Sequence, residues 1–170
     1  MKIDITSWKD FEVKDIFKIK RPQKRSFSKY DSGTIPFVTS GEFNNGIQGY
    51  VTPLKNDKLD LGNCISVSPV EGKALYQPED FLGRGGGGSS IILLYNDKLN
   101  KYNGLFLATV ITKKLQKHEY KDMVNGGSIA IEKLTLPCDG EQPDFLYMED
   151  YVKKIQTKVI EKINNLSKII

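Results

Sequence analysis

Residues 35–51 read IPFVTSGEFNNGIQGYV, and this stretch indicates the class of fold. At its centre, Asn44-Asn45-Gly46 is a tight-turn signal, because asparagine and glycine tolerate a positive φ. The apolar residues on either side predict two strands joined by a turn, at residues 35–38 and 47–51. Pro36 has no backbone N–H to donate, so we expect the first strand to lie at the edge of its sheet.

More short elements follow along the chain. Residues 64–68 (CISVS) alternate apolar and polar side chains and predict a half-buried strand, whereas residues 91–95 (IILLY) predict a buried one. Apolar residues recur every three or four positions in residues 105–115, which favours a helix. Ile129, Ile131 and Leu134 suggest a further short strand before Pro137. Many short strands with few helices predict an α+β domain built on an irregular mixed sheet.

The C-terminal segment, residues 144–170, has a different character. Asp144 is a candidate N-cap, and the residues after it predict one long helix. An apolar stripe runs along this helix at spacings of 4, 3, 4, 4, 3 and 4 residues, formed by Met148, Val152, Ile155, Val159, Ile163, Leu166 and Ile170. The stripe could pack on its own domain, but its length favours pairing with a partner helix. We therefore divide the chain into a domain of residues 1–143 and a dimerisation or spacer helix of residues 144–170.

Positive charge is concentrated in one segment. Residues 14–30 hold seven basic residues and one acidic residue, so they carry +6, while the whole chain carries only +4. Phe17, Phe27 and Tyr30 lie among the lysines and arginines. Local positive charge interleaved with aromatic residues is typical of a surface that meets a phosphate backbone, although a solvated loop has the same composition.

Composition excludes several classes of protein. A chain of 170 residues with 39% hydrophobic residues can build a core, which excludes disorder as its main state. The longest wholly apolar run, residues 91–95, is far shorter than a membrane span. No signal peptide is visible, so we expect a cytoplasmic protein whose two cysteines, Cys64 and Cys138, are reduced thiols.

The usual catalytic constellations are not evident. His118 is the sole histidine, and the chain has no C-x-x-C pair, so we expect no metal site. Residues 81–90 (FLGRGGGGSS) resemble the S-adenosylmethionine motif of DNA methyltransferases, but the Pro-Pro pair that accompanies it in those enzymes is missing. We interpret this run as a flexible loop with Arg84 at its tip, either disordered or in contact with DNA.

Several short motifs follow one another in a particular order: residues 8–11 (WKDF), 15–19 (DIFKI), 33–40 (GTIPFVTS), 44–50 (NNGIQGY), 62–67 (GNCISV) and 143–151 (PDFLYMEDY). In this order, over about residues 5 to 155, the chain resembles one family, the target recognition domains in S (specificity) subunits of type I restriction–modification enzymes. Each motif alone is weak, and their order makes the resemblance specific.

This resemblance implies a non-catalytic domain that reads one half of a bipartite site in double-stranded DNA. The methyltransferase (modification) subunits, the restriction subunit and bound S-adenosylmethionine would all be partners rather than parts of this chain. An S subunit has two recognition domains, and this chain has one. It is therefore expected to be either a half-length subunit that forms a homodimer or a fragment of a longer subunit.

Candidate contacts follow from residue type. We expect phosphate contacts from the charged segment, at Lys20, Arg21, Lys24, Arg25 and Lys29. Amide and basic side chains in predicted loops can bond base edges, which nominates Asn44, Asn45, Gln48, Lys73, Gln77 and Arg84. The pairing stripe of the last helix is expected to use Val152, Ile155, Val159, Ile163 and Leu166.

Three alternatives stay open at this point. A module for single-stranded nucleic acid could use Phe17, Phe27 and Tyr30 as stacking platforms. A protein–protein adaptor could use the C-terminal helix alone. A free-standing enzyme is disfavoured by the missing catalytic groups.

Overall fold

The computed structural model describes residues 4–87, 90–116 and 126–167. The strands are β1 (Lys9–Glu12), β2 (Lys18–Lys20), β3 (Ser32–Val38), β4 (Ile47–Val51), β5 (Cys64–Ser68), β6 (Lys73–Gln77), β7 (Leu82–Gly83), β8 (Ile92–Tyr95), β9 (Lys133–Leu136), β10 (Cys138–Asp139) and β11 (Gln142–Pro143). The α-helices are α1 (Val13–Ile16), α2 (Lys101–Leu115), α3 (Gly126–Ala130) and α4 (Phe145–Leu166). The predicted α+β class with a mixed sheet and a long C-terminal helix is confirmed.

The main core lies between a four-stranded antiparallel sheet and α2. Strand order in this sheet is β2-β8-β5-β6, and Ile65 of β5 is paired with both Leu94 and Tyr76. Side chains of β5 and β8 pack against Leu107 and Ile111 of α2. Apolar residues at helical spacing thus bury one face of α2.

Strand β5 is fully buried, so the prediction of a half-buried strand is wrong. The strand has neighbours on both sides, and Ile65 and Val67 belong to the main core while Cys64 belongs to a second cluster on the opposite face. Its polar residues are paired: the Ser66 hydroxyl donates to the carbonyl of Leu75 at 3.3 Å and accepts from Gln77 Nε2 at 2.9 Å. Alternation here marks buried hydrogen-bonding positions rather than a solvent face.

A second sheet has the order β4-β3-β7 and carries the turn predicted at Asn44-Asn45-Gly46. Strand β3 is therefore central, and the prediction of an edge strand is wrong. The parallel partner β7 joins β3 only at Phe37 and Val38, past the proline. Pro36 accordingly has a strand neighbour on one side only, opposite Tyr50 of β4, which is how the sheet accommodates it.

Two boundaries differ from the sequence prediction. Helix α2 begins four residues early because Asn100 caps it: Asn100 Oδ1 accepts from the backbone N–H groups of Tyr102 and Asn103, at 2.9 and 3.1 Å. The short strand predicted before Pro137 is present as β9, but it starts only at Lys133, because Ile129 lies buried in α3. Strand β9 pairs antiparallel with β1.

Helix α4 begins where the sequence predicts, after Asp144, whose carboxylate accepts from the backbone N–H of Tyr147 at 2.8 Å. Its first half packs on the domain through buried Met148 and partly buried Tyr151 and Val152. The division of the chain into a domain of residues 1–143 and a separate helix of residues 144–170 stays a prediction. Among the helices in the described ranges, none combines the length and apolar character needed to cross a membrane.

Candidate nucleic-acid interface

Four basic residues from two distant segments form one surface. Lys24 and Gly85 form an isolated parallel β-bridge, and the backbone N–H of Arg25 donates to the Gly85 carbonyl at 3.3 Å. The Arg21 guanidinium donates to the Ser90 carbonyl at 2.7 Å. These contacts join residues 20–25 to the glycine-rich run. The cationic surface, as we call it, consists of the exposed side chains of Lys20, Arg21, Lys24 and Arg84.

The glycines of this run serve close packing. A Cβ on Gly85 would lie 2.1 Å from the carbonyl oxygen of Gln23, and one on Gly83 would lie 2.7 Å from Cγ of Pro22. The prediction of a flexible loop is wrong for residues 83–86, because Gly83, Gly85 and Gly86 pack closely against residues 22–24. Gly87 has open space beside it, and residues 88–89 lie outside the described ranges. The space beside Gly83, Gly85 and Gly86 is thus filled by the chain itself, and a side chain at any of these three positions would collide with it.

Arg25 is the centre of a buried clamp, and the prediction that it contacts phosphate is wrong. Its side chain is 6% exposed. The guanidinium donates to Asp60 Oδ2 at 2.7 Å, to the Gly83 carbonyl at 3.1 Å and to the Lys58 carbonyl. Asp60 Oδ2 also accepts from the backbone N–H of Gly83 at 2.9 Å. Arg25 thus holds in place the backbone next to Lys24 and, through Gly83, the backbone next to Arg84.

The asparagine turn is anchored to β6. Asn44, Asn45 and Gly46 have φ values of 48°, 55° and 75°. Asn45 Nδ2 donates to the Tyr76 carbonyl at 3.0 Å and to Gln77 Oε1 at 3.2 Å, and Gln77 Nε2 donates back to the Asn45 carbonyl at 3.1 Å. Gln77 is only 3% exposed, so the prediction that it reads bases is wrong. It positions the turn instead.

The cationic surface and the asparagine turn meet at the carboxyl end of β3. The backbone N–H of Arg84 donates to the Val38 carbonyl, and the N–H of Thr39 donates to the Gly46 carbonyl, both at 2.8 Å. Two consecutive residues therefore hold the two loops side by side. Cations suited to phosphate and amides suited to base edges share one end of the sheet.

The remaining predicted contact residues lie at or near exposed positions. Gln48 is exposed on β4, Asn44 is exposed in the turn, and Lys29 is exposed at the end of the turn Phe27–Lys29. Lys73 is half-buried and forms an ion pair with Glu42, with Nζ to Oε2 at 3.3 Å. Their roles stay predictions.

The aromatic residues of the charged segment take part in packing within the domain. Phe17 is buried in the main core, and the rings of Phe27 and Tyr30 each lie 5.5 Å from the ring of Phe37. An exposed aromatic residue that the sequence analysis overlooked is Phe43, beside the asparagine turn. The sequence contained a signal for this exposure. Phe43 is the sole apolar side chain in the run GEFNNG (residues 41–46), so no apolar residue at strand or helix spacing within the run could be buried together with it.

Catalytic and metal chemistry have little support in the described part of the chain. Burial raises the pKa of the Cys64 thiol to about 12, which makes it a poor nucleophile. No group of three or more metal-ligating side chains occurs within residues 4–87, 90–116 and 126–167. His118 lies outside these residues.

The stripe of α4 divides into two parts. Met148 and Val152 pack on the domain, as the alternative interpretation predicted, whereas exposure rises from 41% at Ile155 to 64% at Leu166. The unpaired half of the stripe comprises Ile155, Val159, Ile163 and Leu166, and Ile170 lies outside the described residues. Val152 and Ile155 also line an apolar groove of about 720 Å³ with Trp8, Leu105, Phe106 and Tyr151.

Comparison with known proteins gives a consistent result. The family model described as "Type I restriction modification DNA specificity domain" matches residues 6–165. The specificity subunit S.BcgI of a type II restriction enzyme from Heyndrickxia coagulans is 29% identical in an alignment of 164 positions, and the match covers 91% of this chain and 45% of that protein.

Two solved structures have a similar fold. The S subunit of a type I restriction–modification system from M. genitalium superposes with a TM-score of 0.60 at 13% identity, covering 96% of this chain and 44% of that one. The HsdS subunit from Thermoanaerobacter tengcongensis gives a TM-score of 0.59 at 16% identity, covering 92% and 39%. The chain thus spans less than half the length of each of these proteins.

Proposed function

The chain belongs to the family of type I restriction–modification DNA specificity domains, and we propose that it recognises one half of a bipartite site in double-stranded DNA. It would do so as all or part of a specificity subunit. The observation that carries the proposal is the junction at Val38 and Thr39, where backbone hydrogen bonds bring the cationic surface and the asparagine turn together.

The two loops would divide the work of recognition. Lys20, Arg21 and Lys24 would neutralise phosphates, which supplies affinity that is independent of sequence. Asn44 and Gln48 carry amides that match adenine, and Arg84 has the fork that matches guanine. Arg25 and Gln77 would act at one remove, by holding these loops in place.

Bond-making steps would belong to partners. We assign S-adenosylmethionine binding and methyl transfer to methyltransferase subunits, and cleavage to a restriction subunit where one is present. The relatives are named as specificity or S subunits, which supports this division of labour. The cytoplasmic location expected from the sequence stays a prediction.

Helix α4 would set the distance between two recognition domains. Its 22 residues span about 33 Å, close to the roughly 34 Å of one turn of B-DNA. The unpaired half of the stripe would pack antiparallel on the same stripe of a second copy, or on the matching helix of a longer subunit. A homodimer is two-fold symmetric and would read an interrupted palindrome.

Methylation mapping tests the proposed function. Genomic N6-methyladenine is mapped in cells that express methyltransferase subunits of a type I system with this chain and in matched cells without it. We expect one bipartite motif to be methylated only when the chain is present. An unchanged set of methylated motifs would exclude a role in specificity.

A further inference from the structure

Phe43 is the most exposed large apolar side chain in the described part of the chain. Its exposure is 81%, compared with 67% for the next residue, Leu146. The side chain stands at the tip of the loop between β3 and β4, directly before the asparagine turn. Contact with a partner that removes so exposed a ring from water lowers the free energy.

The loop that carries Phe43 is tied to the domain by contacts of the neighbouring residues. On one side, Glu42 is paired with Lys73 of β6. On the other, Asn45 exchanges hydrogen bonds with Gln77, also of β6. The Phe43 carbonyl accepts from the backbone N–H of Gly46 at 2.9 Å, which closes the turn. The hydrogen bonds of Asn45 and the closed turn anchor the backbone that follows Phe43, which reduces the order that has to be gained on binding.

The position of the ring favours DNA as its partner. Phe43 lies in the loop that begins at Thr39, directly after β3. The last residue of β3, Val38, accepts the hydrogen bond from the backbone N–H of Arg84. A DNA backbone held by the cationic surface would place the edge of a base stack beside this loop. Rigid apolar side chains at such positions insert between base steps and kink the duplex.

We propose that Phe43 is a wedge that stacks into one base step of the recognised half-site. This inference rests on the proposed function and deepens it, because it assigns part of the specificity to deformability of the DNA. Pyrimidine–purine steps unstack most readily, so the half-site would contain such a step at the contact. Phe43 then contributes to sequence choice without a hydrogen bond to any base.

The test has two stages that separate the two proposals. First, the wild-type chain is used to select from a pool of short duplexes with randomised centres, and enrichment of one motif tests the proposed function. Second, each adenine of the selected duplex is replaced in turn by 2-aminopurine, whose fluorescence rises when it is unstacked. Affinity and fluorescence are measured for wild type, F43A, F43W and the control L146A, which removes an exposed leucine on α4.

The wedge predicts a fluorescence rise at one step with wild type and F43W. With F43A we expect this rise to vanish and affinity to fall about tenfold, while L146A matches wild type. If F43A matched wild type in affinity and fluorescence, the wedge would be overturned and the proposed function would stand. The same holds if F43A lost only its binding to methyltransferase subunits. The wedge would also be overturned if F43A weakened binding to single-stranded DNA as much as binding to the duplex. If no motif is enriched, both proposals fail.

Discussion

The guanidinium of Arg25 and the carboxylate of Asp60 form a largely buried ion pair, 2.7 Å apart, between the segment after β2 and the loop before β5. Both side chains also bond the backbone of Gly83 in β7, so the pair ties three segments of the chain together. Arg25 directly follows Lys24, and Gly83 directly precedes Arg84. The shape of the cationic surface therefore depends on an ion pair that lies beneath it.

Breaking this pair should destabilise the fold. Replacing Arg25 by alanine leaves the Asp60 carboxylate largely buried without its charge partner, which costs about 3 kcal/mol of unfolding free energy. The measurement is urea denaturation of R25A. Its matched control is K24A, because Lys24 is adjacent in sequence but exposed, and we expect a change within about 0.5 kcal/mol. Similar midpoints for the two variants would show that Arg25 is not a clamp.

Arg25 also shows where sequence reasoning stops. Lys24 and Arg25 are equivalent in composition, but the structure exposes one and buries the other. The difference comes from Asp60, 35 residues away, and no periodicity in the segment encodes that contact. Charge density predicted the location of the basic segment, whereas the role of each cation depended on the packing of distant loops.

Elements set by local chemistry were predictable. The capping side chain of Asp144 and the positive φ values at Asn44 and Asn45 act within a few residues, and the structure has both features where the sequence predicts them. The burial of β5 and the central place of β3 depend on which strands pair across the chain. Those pairings are properties of topology, so hydrophobic alternation and a single proline led to wrong predictions.

Neutralising the two lysines of the cationic surface should weaken DNA binding without changing its sequence preference. We expect K20A/K24A to bind all duplexes more weakly and to lower the slope of log K against log salt by about 1.8, or roughly 0.9 for each phosphate that is no longer neutralised. Fluorescence anisotropy over a salt series measures this slope. The control K113A/K154A removes two exposed lysines of α2 and α4, and its slope should equal that of the wild type. A relaxed sequence preference of K20A/K24A would instead show that one of these lysines contacts bases.

The two cysteines should differ in reactivity. Burial raises the pKa of Cys64 to about 12, so at about pH 8 its thiolate is scarce as well as inaccessible. Cys138 is partly exposed, and its Sγ donates to the Ser7 carbonyl at 3.3 Å. We expect iodoacetamide to alkylate Cys138 alone in the native protein and both cysteines in urea, as resolved by peptide mass spectrometry. Labelling of Cys64 in the native protein at a rate comparable to that of Cys138 would contradict the burial of Cys64 in the second cluster.

Pairing through the unpaired half of the stripe can be tested on the intact chain. Val159 and Ile163 lie one turn apart on α4 and are about half exposed, at 50% and 58%. Glutamates at both positions would place like charges across an antiparallel interface and remove its apolar packing. We expect wild type to sediment as a dimer at high micromolar concentration and V159E/I163E to sediment as a monomer of unchanged helicity. The control T157E adds a charge on the opposite face of the helix and should stay dimeric. A wild-type chain that remains monomeric at that concentration would contradict the homodimer and leave the helix to pair only within a longer subunit.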